Sequence, residues 1–386
     1  LLEALRDNIL YLYYKHNEGV NMMEGMMGCF KACASVVALL ETKLSRADKT
    51  VQSLREATWL VLNNLNGSSD GHEELRCVQK AATALLATLA LVGSSEGTPP
   101  SKIWSRCVAN GITLLHWAIH DFFPISTADS SIPNLTKDGA KADPKLWEEH
   151  ATWLSVAKEL AAMDTDEMDL GNDPVDNHRS EALKSRIQCL TGYVHSLLKM
   201  DSYSLQTRLT PLLLPLDSLL DTSEILLSFP LATEATHRST KSRLRSSPVK
   251  DGLISPNAAV VISADIRLCG HALLDVTVQS CSGGGALLLG KARRLVGMVV
   301  ANLQSSCSPA LVSVVVENGR RSSGGGATSA GSWLRGSIPL RIQSVRMFHL
   351  VAISLGSGVM SSTGTAKLMS RALVLLGGCL LEQVAG

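Results

Sequence analysis

Apolar residues return along this chain at intervals of three and four positions, the spacing of one face of an α-helix. Leu1, Leu5, Ile9 and Leu12 share a side over residues 1–15. A second helix carries Met22, Met26, Phe30, Cys33, Val37, Leu40 and Leu44. A third, over 48–65, aligns Val51, Leu54, Thr58, Leu62 and Leu65, and a fourth takes 72–92. Ser101 is placed to cap a fifth, with Trp104, Cys107, Gly111, Leu114, Ala118 and Phe122 as its stripe. Asp143-Pro144 is a helix-start signal before Trp147, Trp153 and Leu160. The pattern resumes from Ser180 through Ile187, Leu190, Val194 and Leu197. Pro211 and Pro215 mark the start of the next helix at one of the two.

The most regular stretch runs from Asn257 to Leu303. Ile266, Cys269, Leu273 and Val276 form one stripe, and Leu288, Leu295, Val299 and Leu303 a second. Lys291, Arg293 and Arg294 mark the wet side of the second helix. The Gly283–Gly285 break between them predicts a hairpin in which Leu273 and Leu295 face each other. A last helical pair is expected over 339–356 and 363–384. Only Leu311 to Glu317 looks β-like, and its apolar residues fit a helix edge equally.

Helices with one apolar side cannot bury it alone, so they must stack. The expectation is an all-α fold, an irregular armadillo/HEAT-like α-solenoid of stacked helix pairs, with no fixed-length repeat. Polar, turn-rich or acidic segments divide it. Residues 1–123 form N-terminal helical repeats, and 124–178 an insert with one helix and an acidic loop, Asp164 to Asp176. Residues 179–386 form C-terminal repeats with inserts at 229–256 and 320–336.

Composition narrows the function classes. Charged residues are only 18% and the net charge is +1, which argues against a broad nucleic-acid-coating surface. Aromatic residues are 4%, too few for ring-stacking platforms along single strands. Nine cysteines with no CxxC pair point to reduced thiols and a reducing compartment, with Cys29 and Cys33 one turn apart on an apolar face. The longest apolar runs, such as Ala84 to Val92, fall short of the ~20 residues of a membrane span. The sequence begins at Leu1, so a preceding targeting segment stays open.

Candidate chemistry is sparse. Gly285-Ala286-Leu287-Leu288-Leu289-Gly290-Lys291 has the spacing of a phosphate-binding loop, but Ala292 stands where a magnesium-binding hydroxyl belongs. His116 and His120 are one turn apart, as a metal pair would be, without the adjacent glutamate a zinc hydrolase uses. Leu216-Asp217-Ser218-Leu219-Leu220 has the LxxLL form of a groove-binding ligand, which also arises readily in a leucine-rich core helix. Arg238, Lys241, Arg243, Arg245 and Lys250 make a basic loop around Ser247-Pro248. It reads as a solvated loop or a local RNA or acidic-partner contact, with Ser247 a candidate phosphosite that would weaken such a contact. No catalytic, cofactor-binding or metal-binding set is expected.

Four segments, taken in order, resemble one family. They are Met23-Glu24-Gly25-Met26-Met27 to Ala34, Trp104 to His116 with its Leu-Leu-His ending, Ile266 to Leu303, and Leu340 to Gly358. Together they resemble the Rix-type pre-rRNA-processing subunits, the family that includes the proline-, glutamate- and leucine-rich proteins. The inserts at 124–142, 163–178 and 320–336 depart from its pattern, and its acidic, proline-rich tail is absent. The resemblance implies a non-enzymatic scaffold in the nucleus, in nucleolus and nucleoplasm, without cofactors. It implies a homodimer that holds a WD-repeat propeller protein and a HEAT-repeat protein, joins pre-60S particles and works with a midasin-type AAA ATPase. The function implied is support of large-subunit assembly and internal-transcribed-spacer processing. Two alternatives stand beside it: a generic helical-repeat adaptor or transport receptor, and, more distantly, a nucleotide-binding enzyme acting through Gly285 to Lys291.

Overall fold

The computed structural model describes residues 1–40, 43–44, 48–64, 72–92, 100–122, 174–204, 215–229, 256–281, 285–306, 338–356 and 363–384. Among them every regular element is an α-helix. The expected helix after Asp143, the β-like run 311–317 and most of the four inserts lie outside the described residues.

Local signals explain where the helices begin and end. Helix α1 spans Leu2–Asn17 and α2 Met23–Leu39. Gly19, at φ +91°, lets the chain leave α1, with the Val20 amide donating to the Lys15 carbonyl at 3.2 Å. The Asn21 side chain accepts from the Met23 amide at 3.2 Å and opens α2. Asp48 accepts from the Thr50 amide at 2.9 Å at the start of α3, Lys49–Asn64. Helix α4 is His72–Leu91. Proline, which lacks the amide a first turn cannot use, opens α5 (Pro100–Phe122), α6 (Pro174–Ser204) and α8 (Pro256–Ser280). Pro215 directly precedes α7, Leu216–Leu227. A six-residue helix α9 (Gly285–Gly290) leads through Lys291 into α10, Ala292–Ser306. The last two are α11, Ile338–Leu355, and α12, Thr363–Val384.

The chain forms two compact units, the first Leu1–Ile119, Ser131–Glu159 and Ser185–Pro215, the second His120–Ser130, Leu160–Lys184 and Leu216–Gly386. In the first, α1 packs on α2 and on α3, and α4 packs on α2 and on α3. Met26, Phe30, Cys33 and Val37 of α2 are fully buried in one cluster with Leu54 of α3 and Leu85 of α4. Leu2, Ile9 and Tyr13 are the buried residues of α1, whereas Leu1 is 81% exposed. The expected stripe was therefore rotated by one position at its start. Helix α2 ends at Leu39, short of the run expected to Leu44, because the chain turns at Leu40.

Helices α5 and α6 complete this unit through close approaches. The buried Trp104 indole donates to the Leu197 carbonyl at 2.8 Å, satisfying its one polar atom. A Cβ on Gly111 of α5 would lie 2.7 Å from Val194 of α6, and one on Gly192 would lie 3.3 Å from Thr83 of α4. Arg186 of α6 stands 5.2 Å from the ring of Trp59 in α3, whose other neighbour is Tyr193 at 6.1 Å.

In the second unit, α7 packs on α8, α8 on α11, and α10 on α11 and α12, with smaller contacts of α10 to α7 and of α9 to α10 and α11. The stripes read from the sequence are buried: Ile266, Leu273 and Val276 on α8, Leu295, Val299 and Leu303 on α10. Their partners differ from the expectation. Across the glycine break α8 and α10 do not form the main pair; α8 lies chiefly against α7 and α11, and α10 against α11 and α12. A stripe states that a face is buried, not which helix buries it.

Gly270 of α8 makes the α7–α8 approach possible, since a Cβ there would sit 2.9 Å from Leu226 Cβ and 2.9 Å from the Leu227 amide nitrogen. Gly297 of α10 has nothing within 4 Å of that position. The same substitution therefore has opposite signs at the two sites. Gly270→Ala should cost about 1–3 kcal/mol by forcing α7 and α8 apart. Gly297→Ala should stabilise by roughly 0.5–1 kcal/mol through lower unfolded-state entropy. Urea midpoints measured side by side check both; equal shifts of one sign would contradict this packing.

Candidate functional site

The segment with phosphate-loop spacing lies in α9 and the turn after it. Gly285–Gly290 is helical, Leu288 is fully buried, and the Lys291 amide donates to the Leu288 carbonyl at 3.0 Å. A phosphate cradle requires loop amides pointing at the ligand, and here the backbone is wound into a helix. The Lys291 ammonium, which would have to reach the phosphates, pairs with Asp217 of α7 at 2.5 Å. In this geometry the described residues of the segment do not form a phosphate cradle.

Lys291 belongs instead to a polar seam between α10 and α7. Arg294, one turn on, bonds Asp221 at 2.5 Å and Glu224 at 2.6 and 3.0 Å. Asp217, Asp221 and Glu224 recur at helical spacing on α7 and face two bases three residues apart. The signal was present in the sequence as LDSLLDTSE and KARR, but it becomes a pair of ladders only once α7 and α10 are known to touch. All members are partly solvated, so the seam fixes register more than it adds stability.

The LxxLL leucines Leu216, Leu219 and Leu220 are all buried on α7. They belong to the core and are not displayed as a free ligand. At the far end of the same helix, Arg267 of α8 donates to the Phe229 carbonyl at 2.9 and 3.2 Å. A cation beside the last carbonyls of α7 suits the negative end of its dipole. Neither sequence spacing nor composition flagged Arg267.

His116 is half-buried in α5, and the His120 side chain lies outside the described residues. No group of three or more His, Cys, Asp or Glu side chains able to hold a metal occurs among the described residues. The basic loop Arg238, Lys241, Arg243, Arg245 and Lys250, with Ser247, also lies outside them. No described helix is long and apolar enough to cross a membrane.

None of the described cysteines forms a disulfide, and burial holds Cys33, Cys189 and Cys281 protonated. Burial pushes Cys33 up to about 12, with Cys29 beside it adding to the effect, and Cys29 itself is raised. Burial likewise raises Cys189 to about 12 and Cys281 to about 11. A thiol held that far above neutrality is a poor nucleophile and metal ligand.

Two histidines are the most perturbed bases. Burial, with Arg267 one turn away, lowers His271 to about 4. Burial, with Lys199 and Lys80, lowers His195 to about 4. His271 is almost completely enclosed, and neither ring nitrogen has a hydrogen-bond partner among the described residues. It is a buried, neutral imidazole without a hydrogen-bond partner among the described residues, so its burial is a stability liability.

Comparison of the chain with protein-family models, with curated proteins and with solved structures finds no match.

The histidines set an acid limit. Their folded pKa lies below the ordinary 6.5, so the unfolded chain binds the protons first. Stability is full above about 6.5 and falls as pH drops towards about 4. For the enclosed His271 the loss is on the order of 3 kcal/mol. His271→Leu should be at least as stable as the parent at pH 7 and should lose less between pH 6.5 and 4.5. Urea unfolding of both proteins across that range measures the difference, which cancels the titration of the carboxylates; identical slopes would contradict it.

Proposed function

We propose that this chain is a non-enzymatic scaffold, an irregular armadillo/HEAT-like stack of helical hairpins, serving a large-ribosomal-subunit assembly complex. The observation that carries the architectural part is the packing scheme, which recurs in both units. Within a hairpin the two helices pack together, as α1 with α2, α3 with α4, α7 with α8, and α10 with α11. Each also packs on the helix of the same rank in the next hairpin: α1 on α3, α2 on α4, α7 on α10, α8 on α11, and α10 on α12. Stacked hairpins have this neighbour-only pattern. The assignment to ribosome assembly rests on the resemblance of the four ordered segments to the Rix-type subunits.

On this reading the working parts are surfaces. The partners are a WD-repeat propeller protein and a HEAT-repeat protein of the same complex, the pre-60S particle and a midasin-type ATPase, with the chain homodimeric and resident in the nucleus. The basic loop from Arg238 to Lys250 contributes at most a local RNA contact, tuned by a phosphate on Ser247.

Affinity purification of the tagged protein from cells, followed by mass spectrometry, tests the reading. The expected result is co-recovery of a propeller protein and of large-subunit precursors. A clean preparation lacking both would overturn it.

A further inference from the structure

The outer sides of α11 and α12 are apolar, although each helix already buries an inner stripe. Leu340, Met347, Val351 and Leu355 of α11 face inward, with α8 and α10 as neighbours. On the opposite side Ile342, Val345 and Ile353 are 46%, 42% and 66% exposed. Helix α12 buries Ala372 and Leu375, yet leaves Leu373 58% and Val374 54% exposed. A helix that is apolar on both sides is a helix with something packed on each. Lone exposed leucines need no explanation, but a series of β-branched and leucine side chains on two helices that both rest on α10 does.

Charge on this side has one sign. Arg346 and Lys367 are exposed there, and no Asp or Glu occurs anywhere between Asn318 and Leu381. Over the whole chain acids and bases balance almost evenly, with 35 against 36, so this segment is locally basic. The carboxylates that would normally stand opposite these bases must come from outside the segment.

We propose that the outer side of α11 and α12 docks an acidic amphipathic helix of a partner protein. Its apolar stripe covers Ile342, Ile353, Leu373 and Val374, and its Asp and Glu flanks meet Arg346 and Lys367. Apolar anchors within a charged rim are how a helix seats in a helical groove. A second copy of this chain fits poorly, because it would set Arg346 and Lys367 against bases of the same kind. Nucleic acid would find aliphatic side chains and no exposed Phe, Tyr or Trp among the described residues of α11 and α12, and anionic lipid recruitment usually takes clusters of about four to eight bases.

This inference deepens the scaffold reading by naming one binding face, and its test can fail separately. In the full chain, a photo-crosslinking amino acid replaces Ile353 or Val374 in cells, and the crosslinked peptides are sequenced. The expected product is a segment of another protein with apolar residues at helical spacing and Asp or Glu flanking them. Arg346→Glu with Lys367→Glu should cut its yield roughly tenfold, since opposed charges become like charges. Both substitutions are at exposed positions, and unchanged helicity by circular dichroism confirms that the fold is kept. A crosslink to a second copy, to nucleic acid, to lipid or to a basic segment would overturn the proposal. So would no crosslink, or a yield indifferent to charge reversal. If precursor particles are still recovered from the same cells, the failure falls on this surface alone and leaves the scaffold reading standing.

Discussion

Each helix of this chain carries an apolar stripe that its own backbone cannot cover, and the fold follows from where that stripe finds cover. In α2, Met26, Phe30, Cys33 and Val37 disappear completely only because α1 lies on one side and α4 on the other. In α10, Leu295 and Leu303 disappear between α11 and α12. Burying a leucine or phenylalanine side chain is worth roughly 1.5–3 kcal/mol, and a helix alone cannot collect it. Packing against more than one other helix collects it, as α2 does with α1 and α4 and α10 does with α11 and α12.

Close approach then sets the finer geometry. Gly111, Gly192 and Gly270 stand where a side chain would strike the neighbouring helix, and they mark the tightest crossings. Polar groups drawn into these crossings are mostly answered locally. The Trp104 indole finds the Leu197 carbonyl, Arg267 finds Phe229 at the end of α7, and Thr58, Ser223 and Thr277 bond back one turn along their own helices. His271 is one that is not, and its burial trades acid resistance for packing.

Most helices were legible in the sequence because a 3.6-residue period is a local property. The last two, expected at 339–356 and 363–384, differ by at most one residue from those observed at Ile338–Leu355 and Thr363–Val384. Partner choice was not legible, as the expected pairing of α8 with α10 shows, since a stripe carries no address. The acid–base ladder between α7 and α10 escaped for the same reason: Asp221 and Arg294 are 73 residues apart. The phosphate-loop lure was resolved by spacing weighed against chemistry, because Leu288 suits a core better than a phosphate. The outward apolar residues of α11 and α12 carried no separate signal in the sequence, because a helix apolar on both sides has no single stripe.

If stacking between neighbours is what holds the molecule, damage should stay local. Leu273→Ala combined with Leu295→Ala removes two fully buried side chains from the second unit, each typically worth about 2–5 kcal/mol. Hydrogen exchange followed by mass spectrometry on this double variant is the most direct test. The stacked-hairpin account predicts lost protection across α7 to α12 while α1 to α4 keep theirs. A uniform loss of protection from α1 to α12 would show one cooperative globule and contradict it.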